Sequence, residues 1–283
     1  MTISASQVMS LRSATGAGMM DCKKALEESG GDMDKARDFL RKKGIAVAAK
    51  KSDRATREGG VAIALNDDAS AAGMVRLACE TDFVARNEKF KGLLERMARQ
   101  VLAKGDADVP AQTLADGGGT VTEALTAAIS TTGENIQFIE ARRVALNGQG
   151  LVSGYVHSTG KIGVLVVLQC GAAKRGELER VGRDVAMHIA ASNVVAIDQS
   201  GIPQAELDKE QEIFMAQARE SGKPDDIAQK MVQGRLKKFV KEISLLDQPF
   251  VKDPDKTVQA MLAEAGKALG AGIAVKEFVK FKF

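Results

Sequence analysis

The chain has 283 residues, 45% of them hydrophobic and 27% charged, which is typical of a globular protein with more than one domain. A net charge of +3 and an aromatic content of 4%, with no tryptophan, argue against direct binding of nucleic acid. No apolar run reaches the ~18 residues of a membrane span, and three scattered cysteines indicate a reducing, cytoplasmic location rather than a disulfide framework or zinc site.

Residues 1–45 predict three short helices, an arrangement that suits a small binding module better than an active site. We expect the third helix to start after Asp32 and to end at Gly44. Met19 and Met20 open the second helix directly after a glycine loop. Such a pair is either ordinary core filler or an exposed, adaptable apolar contact, and the pattern fits both.

Residues 46–58 are highly charged and have no sustained apolar face, so they predict a linker. Residues 1–57 hold twelve Lys and Arg against seven Asp and Glu, which makes the N-terminal part basic. A first core unit, 59–146, then follows the pattern hairpin, helix, helix, strand. Its predicted elements are strands 60–65 and 73–80, helices 87–104 and 120–131, and strand 136–146.

The corner at Thr81, Asp82, Phe83 and Val84 separates an alternating strand from a helical pattern. In one interpretation Asp82 or Asn87 caps the helix and Phe83 is a hydrophobic staple or core residue. In the other, Asp82 and Phe83 form a projecting wedge that carries an aromatic ring and a charge to a partner's pocket. The local residues alone favour the first interpretation.

The stretch after residue 146 repeats this pattern. Strands 151–157 and 162–170 form a second hairpin around a turn that carries His157, and helix 175–192 follows. Gly73 and Cys79 match Gly163 and Cys170 about ninety residues further on. The repetition predicts a duplicated α+β core with antiparallel sheets, whose second unit comprises residues 147–202 and 244–283.

Residues 203–243 interrupt the second unit and predict an antiparallel helical hairpin, the layout of a coiled-coil insertion. The first helix is mostly polar, so the apolar seam is thin. We expect the hairpin either to form a homodimer or to remain a solvated arm, and the thin seam favours a monomer or a weak dimer. Beyond it, the sequence predicts a helix at 257–269 and a final strand at 273–283.

The sequence contains no recognisable catalytic constellation. Its only histidines are His157 and His188, and it has no phosphate loop, nucleotide-binding fingerprint or metalloprotease motif. Cys79 and Cys170 lie in apolar strands, where inert core thiols are expected. The sequence therefore predicts a binding protein without a cofactor rather than an enzyme.

Two stretches resemble the signatures of bacterial elongation factor Ts. The first runs Thr-Gly-Ala-Gly-Met-Met-Asp-Cys-Lys-Lys-Ala-Leu over residues 15–26, and the second runs Cys-Glu-Thr-Asp-Phe-Val-Ala over 79–85. Shorter matches follow in the family's order, so the resemblance covers nearly the whole chain. These matches are His-Ile-Ala-Ala-Ser at 188–192, Ser-Gly-Lys-Pro at 221–224 and Gln-Pro-Phe at 248–250.

The resemblance implies a nucleotide-exchange factor for the GTPase elongation factor Tu. It implies a ubiquitin-associated-like N-terminal module that docks on the GTPase domain, here through Met19 and Met20. His157, which we expect to be exposed at its hairpin turn, is either a surface residue without a role or a further contact. It also implies that Thr81–Val84 disturb the partner's magnesium site and that 203–243 is a coiled-coil dimerisation motif. On this basis the wedge becomes the favoured interpretation of Asp82 and Phe83.

One departure from the family pattern concerns the end of the sequence. Family members commonly continue past the final strand into a C-terminal helix that also contacts the partner, whereas this sequence stops at Phe283. The alternative function is that of an interaction or scaffold protein. In that case the basic N-terminal module would bind acidic partners, and Asp82 and Phe83 would be structural.

Overall fold

The computed structural model describes residues 3–171, 175–220 and 225–283. Three helices open the chain: α1 (Ala5–Thr15), α2 (Met19–Glu28) and α3 (Met33–Ala49). Ser4 and Asp32 cap α1 and α3 with their side-chain oxygens, which satisfies backbone N–H groups in each first turn. The three helices enclose a small apolar core that includes Leu11, Cys22 and Leu26.

The prediction that Gly44 ends the third helix is wrong, because α3 continues to Ala49 and takes in the first residues of the predicted linker. Gly44 is buried against helix α6 (Val121–Thr132). A Cβ atom at this position would lie 3.2 Å from Ser130 Oγ, so the glycine allows the two helices to pack closely. It therefore joins the N-terminal helices to the core instead of separating them.

The first core unit contains the predicted antiparallel sheet, which has three strands, and its helices lie on one face of that sheet. Strands β1 (Glu58–Leu65), β2 (Ala71–Cys79) and β3 (Ile136–Ala145) lie in that order. Between β2 and β3 the chain forms a single turn α4 (Asp82–Ala85), helix α5 (Glu88–Lys104) and α6. Phe90 and Met97 of α5 pack against Val75 and Leu77 of β2 to form the core of this unit.

The second unit has the same order of elements. Strands β4 (Gly150–Val156), β5 (Ile162–Cys170) and β8 (Ile273–Lys282) form an antiparallel sheet with β5 in the centre. Helix α7 (Arg175–Ala191) and helix α10 (Val258–Leu269) cover it. The unpredicted short strands β6 (Pro249–Phe250) and β7 (Asp253–Thr257) form a small hairpin before α10.

The two units match in detail, which confirms the duplicated core. In each central strand the pairing register shifts at the same place, three residues before the terminal cysteine. In each first strand a glycine with positive φ is needed, because a Cβ would collide with a carbonyl oxygen of the central strand. The matched positions are Gly59 and Gly150, Leu77 and Leu168, Cys79 and Cys170, and Ile136 and Ile273.

The predicted match between Gly73 and Gly163 is wrong by one residue. Aligned on the cysteines, Gly73 corresponds to Val164. A Cβ at Gly73 would meet the backbone of α5 at Leu102 N, whereas one at Gly163 would meet Val61 of the other sheet. Because neighbouring strand residues face opposite sides of a sheet, the two glycines accommodate contacts with different layers.

The two sheets pack against each other, and the covering helices lie outside them. Val61 and Met74 of the first sheet meet Leu165, Val167 and Phe281 of the second in one apolar cluster. The turn between β4 and β5 also reaches the first sheet, because Val61 N donates a hydrogen bond of 2.8 Å to Gly160 O. Elements of both units therefore meet at one edge of the core.

Helices α8 (Gln204–Glu220) and α9 (Asp225–Ile243) form the predicted antiparallel hairpin. Its seam is thin, since Ala218, Ala228 and Val232 are buried there whereas Ile213 and Ile227 remain exposed. The Ser-Gly-Lys-Pro stretch at 221–224 lies outside the described residues. Over the ranges that the structure covers, no helix has both the length and the apolar character required to cross a membrane.

Candidate protein-docking site

The turn α4 is built around Thr81, which is its N-cap. Thr81 Oγ1 accepts a hydrogen bond of 3.4 Å from Val84 N, so Asp82 is the first helical residue and not the cap. Val84 and Ala85 pack against the core of the first unit, partly buried. The prediction that Asp82 caps a helix is therefore wrong, whereas Asn87 does cap α5 by accepting from Lys89 N.

Phe83 points away from the core and is 83% exposed, the largest value among the exposed large apolar side chains of the described residues. The interpretation of Phe83 as a staple or core residue is therefore wrong. A one-turn helix that directs Val84 and Ala85 inward directs the residue before them outward. The structure thus presents Asp82 and Phe83 as a projecting pair, which we call the wedge.

Glu134 fixes the base of the wedge from a position 53 residues further along the chain. Its Oε1 accepts a 2.6 Å hydrogen bond from Thr81 Oγ1, and its Oε2 accepts a 3.0 Å hydrogen bond from Thr81 N. Hydrogen bonds to an ionised carboxylate are stronger than neutral ones. This contact could not be predicted from the sequence, because Glu134 follows Gly133 in a short loop between α6 and β3.

Cys79 contributes a second contact at the same base. Its thiol donates a hydrogen bond of 3.3 Å to Thr81 O, at the end of β2. Burial raises the pKa of the Cys79 thiol to about 12, and the charges of Glu134 and Glu58 act in the same direction. The thiol therefore stays protonated at neutral pH and acts as a hydrogen-bond donor, which agrees with the expected inert core cysteine.

The carboxylate of Asp82 is half-exposed and forms an ion pair of 3.1 Å with Arg86, one helical turn away. Arg86 itself is 81% exposed, and an ion pair of this kind contributes only about 0–1 kcal/mol. Asp82 can therefore leave Arg86 at little cost and reach another group. No other residue of the wedge carries a charge.

Met19 and Met20 begin α2 and are 46% and 74% exposed, so the structure favours the exposed pair over the core filler. The loop before them lies near the end of α6, because a Cβ at Gly16 would be 3.8 Å from Thr131 Oγ1. Gly16 and the start of α5 line one cavity of about 280 Å³. The methionines thus directly follow a loop that lies beside the core helices α5 and α6.

His157 is half-buried rather than exposed as expected, and its Nδ1 lies 3.0 Å from Thr159 Oγ1 within the turn between β4 and β5. The following residues 158–161 line a groove of about 660 Å³ together with Asp82 and Arg86. The second unit therefore reaches the wedge through this turn. Thr81 and Val84, by contrast, are supporting residues of the wedge and do not project as it does.

In the described ranges, no group of three His, Cys, Asp or Glu side chains lies close enough together to bind a metal ion. What the site offers is an aromatic ring presented by a rigidly held turn. Aromatic residues in such positions are the common anchors of protein–protein interfaces. The fold and site thus define the class: an α+β protein with a candidate protein-docking surface at one edge of a two-unit core.

Comparison with known proteins gives the family. A family model described as Elongation factor TS matches residues 80–283. The elongation factor Ts of Thioalkalivibrio sulfidiphilus (strain HL-EbGR7) is 48% identical over 283 residues, covering 100% of this chain and 92% of the relative. Those of Nitratidesulfovibrio vulgaris (strain DP4) and Clostridium novyi (strain NT) are 44% and 43% identical, covering 100% and 99% of this chain and 96% and 92% of the relatives. The chain belongs to the elongation factor Ts family, and membership implies a nucleotide-exchange factor of translation elongation.

Proposed function

We propose that this protein is a guanine-nucleotide exchange factor that binds elongation factor Tu in the cytoplasm and promotes release of GDP. The observation that carries the proposal is the exposure of Phe83, 83%, on a turn whose base is held by Glu134 and Cys79. An apolar ring held in water has no folding benefit that would explain its position. It is therefore suited to bury itself in a partner.

The wedge acts by making the loaded state of the partner less stable. Phe83 supplies binding energy by filling a gap between partner helices, which brings Asp82 close to the switch region. A GTPase holds GDP through phosphate contacts and a bridging Mg²⁺, so a carboxylate that disturbs the metal's ligands lowers the affinity for GDP. The factor needs only to bind the nucleotide-free state more tightly than the loaded one.

Two further surfaces support the wedge. Met19 and Met20 dock on the GTPase domain, where flexible methionine side chains adapt to an apolar surface. His157 is a contact of the second unit, at the turn that continues into the groove beside Asp82. Each surface contributes affinity, whereas the wedge alone perturbs the nucleotide site.

The helical hairpin α8–α9 is proposed as a coiled-coil arm that forms at most a weak homodimer. Among the described residues of the hairpin, the exposed large apolar side chains are Ile213 and Ile227, at 40% and 44%, which offers little apolar surface to a second copy. Sedimentation over a hundredfold range of concentration should show a monomer that dimerises only at high concentration. A dimer that persists at every concentration would contradict this arrangement.

The exchange proposal is tested by comparing the affinity of this protein for nucleotide-free and GDP-bound elongation factor Tu by titration calorimetry. The proposal requires the nucleotide-free form to bind more tightly, by the same factor by which this protein weakens GDP binding. Equal affinity for both forms would identify a plain interaction protein. The exchange function would then be refuted even though the partner binds.

A further inference from the structure

The loop that joins α6 to β3 lies between the wedge and the segment that follows the N-terminal helices. Glu134 accepts both donors of Thr81, at 2.6 and 3.0 Å. The next residue, Asn135, is 2% exposed, and its side chain forms hydrogen bonds with residues 52 and 54 instead of with the wedge. Two adjacent residues therefore contact the base of the wedge on one side and the segment that leads to the N-terminal helices on the other.

Asn135 holds the segment through which the chain leaves α3. Its Nδ2 donates hydrogen bonds of 3.1 Å to Ser52 O and 2.9 Å to Arg54 O. Its backbone N–H donates to Glu80 Oε1 at 2.6 Å, and the same carboxylate oxygen lies 3.5 Å from Arg54 Nη1. Because the Asn135 side chain is buried, its two amide N–H groups would be costly to leave unpaired, and the two hydrogen bonds therefore hold this backbone in place.

We propose that Glu134 and Asn135 form a joint that holds the wedge and the methionine-bearing N-terminal helices in a fixed relative position. This inference rests on the exchange function proposed above and names two positioning residues for it. Glu134 acts through Thr81 on the wedge, and Asn135 acts through residues 52–54 on the N-terminal helices.

The physical benefit of the joint is preorganisation. A four-residue helix is far below the length at which a helix is stable alone, so α4 depends on its cap and on contacts at its base. A wedge that is ordered before binding loses less conformational entropy when it docks. Two docking surfaces held at a fixed separation also bind with a high effective concentration, which a loose tether lowers.

The two residues make different predictions for the kinetics of GDP release from elongation factor Tu. Glu134→Gln removes the negative charge, so the two charge-assisted hydrogen bonds with Thr81 are replaced by weaker neutral ones. With this variant GDP should leave elongation factor Tu about three- to tenfold more slowly at saturation, in proportion to the lost charge assistance. Asn135→Ala should instead raise the concentration needed for half-saturation several-fold and leave the saturating rate unchanged.

Controls separate positioning from general stability. Glu264→Gln removes the exposed α10 partner of an ion pair with Lys256 of β7, in the second unit, and should match the unmodified protein in both quantities. Combining Glu134→Gln with Phe83→Ala should cost less than the product of the two single losses, because the ring that Glu134 helps to position is then absent. Losses that multiply would show that Glu134 acts elsewhere and would overturn its assignment.

Hydrogen exchange on the free protein tests the joint without any partner. In Glu134→Gln the backbone amides of α4 should exchange faster, while those of α10 should be unchanged; equal protection of α4 in both proteins would overturn the proposal. If Asn135→Ala does not fold, Thr56→Val can replace it. This variant removes a 3.0 Å hydrogen bond to Gln137 from the segment between α3 and β1, and it should also raise the concentration needed for half-saturation. If Phe83→Ala itself leaves GDP release unchanged, the proposed mechanism of nucleotide exchange fails. Faster hydrogen exchange of the α4 amides in Glu134→Gln would in that case still show that Glu134 holds the wedge.

Discussion

Replacing Phe83 by alanine should abolish much of the exchange activity and leave the fold intact. Because Phe83 is 83% exposed, less than a fifth of its surface is removed from water on folding. Full burial of a phenylalanine side chain contributes about 1.5–3 kcal/mol, so this fraction corresponds to about 0.5 kcal/mol or less. The melting temperature should therefore fall by no more than about 2 °C.

Phe90 is a matched control, because it lies seven residues away in the same unit and is 1% exposed. Phe90→Ala creates a cavity in the core and should cost about 3–5 kcal/mol, which lowers the melting temperature by about 6–20 °C. GDP release from elongation factor Tu should fall more than tenfold for Phe83→Ala, as expected for a hot-spot aromatic. Per folded molecule, Phe90→Ala should retain more nucleotide-exchange activity than Phe83→Ala.

Thermal melts and GDP-release rates on the two variants distinguish the interpretations. A loss of stability in Phe83→Ala comparable with that of Phe90→Ala would show that the ring is structural in solution. Normal exchange per folded molecule in Phe83→Ala would remove the wedge from the mechanism. Either result would refute the reasoning from exposure to function.

Three other predictions concern Asp82, Met20 and His188. Asp82→Ala should slow GDP release in stopped-flow assays but change the affinity for nucleotide-free elongation factor Tu much less; equal losses in both would contradict a role at the metal. Met20→Ala should weaken binding in a titration without lowering the melting temperature, because Met20 is 74% exposed, and an unchanged affinity would exclude it from the interface. Burial lowers the pKa of His188, partly offset by its hydrogen bond with Gln248, so the folded chain binds fewer protons than the unfolded one near pH 6. Stability should be constant above about pH 6.5 and fall as the pH drops below it. Urea midpoints at pH 7.5 and 5.5 should differ less in His188→Gln, and an equal difference would contradict this cause.

Much of the fold could be predicted because it depends on local patterns. The alternation of apolar residues gave the strands of both hairpins, and the helical spacing from Phe90 to Val101 gave α5 nearly to the residue. Asn87 could be proposed as a cap because its side chain satisfies a neighbouring backbone group. Features of this kind involve residues only a few positions apart.

Gly44 shows why other features were missed. A glycine at the end of an apolar stripe is usually a helix stop, and nothing nearby in the sequence indicates that α6 packs against it. The same reasoning applies to the match between Gly73 and Gly163, where a shift of one residue reverses the face of the strand. Both errors arise from tertiary contacts that a linear pattern does not contain.

The wedge was predicted only in part. The sequence located the corner at residues 81–84, but the direction of Phe83 depends on Thr81, and Thr81 is held by Glu134 from 53 residues away. Hydrogen bonds of this range leave no periodicity in the sequence. The resemblance to a family favoured the correct direction, and the exposure of the ring in the structure supports it independently.

The exchange function is tested most directly by measuring release of fluorescent GDP from elongation factor Tu in the presence of excess unlabelled nucleotide. At micromolar concentration this protein should accelerate release, and the rate should rise with concentration until the partner is saturated. Release at the same rate with and without this protein would contradict the exchange function, whatever the affinity of the two proteins for each other.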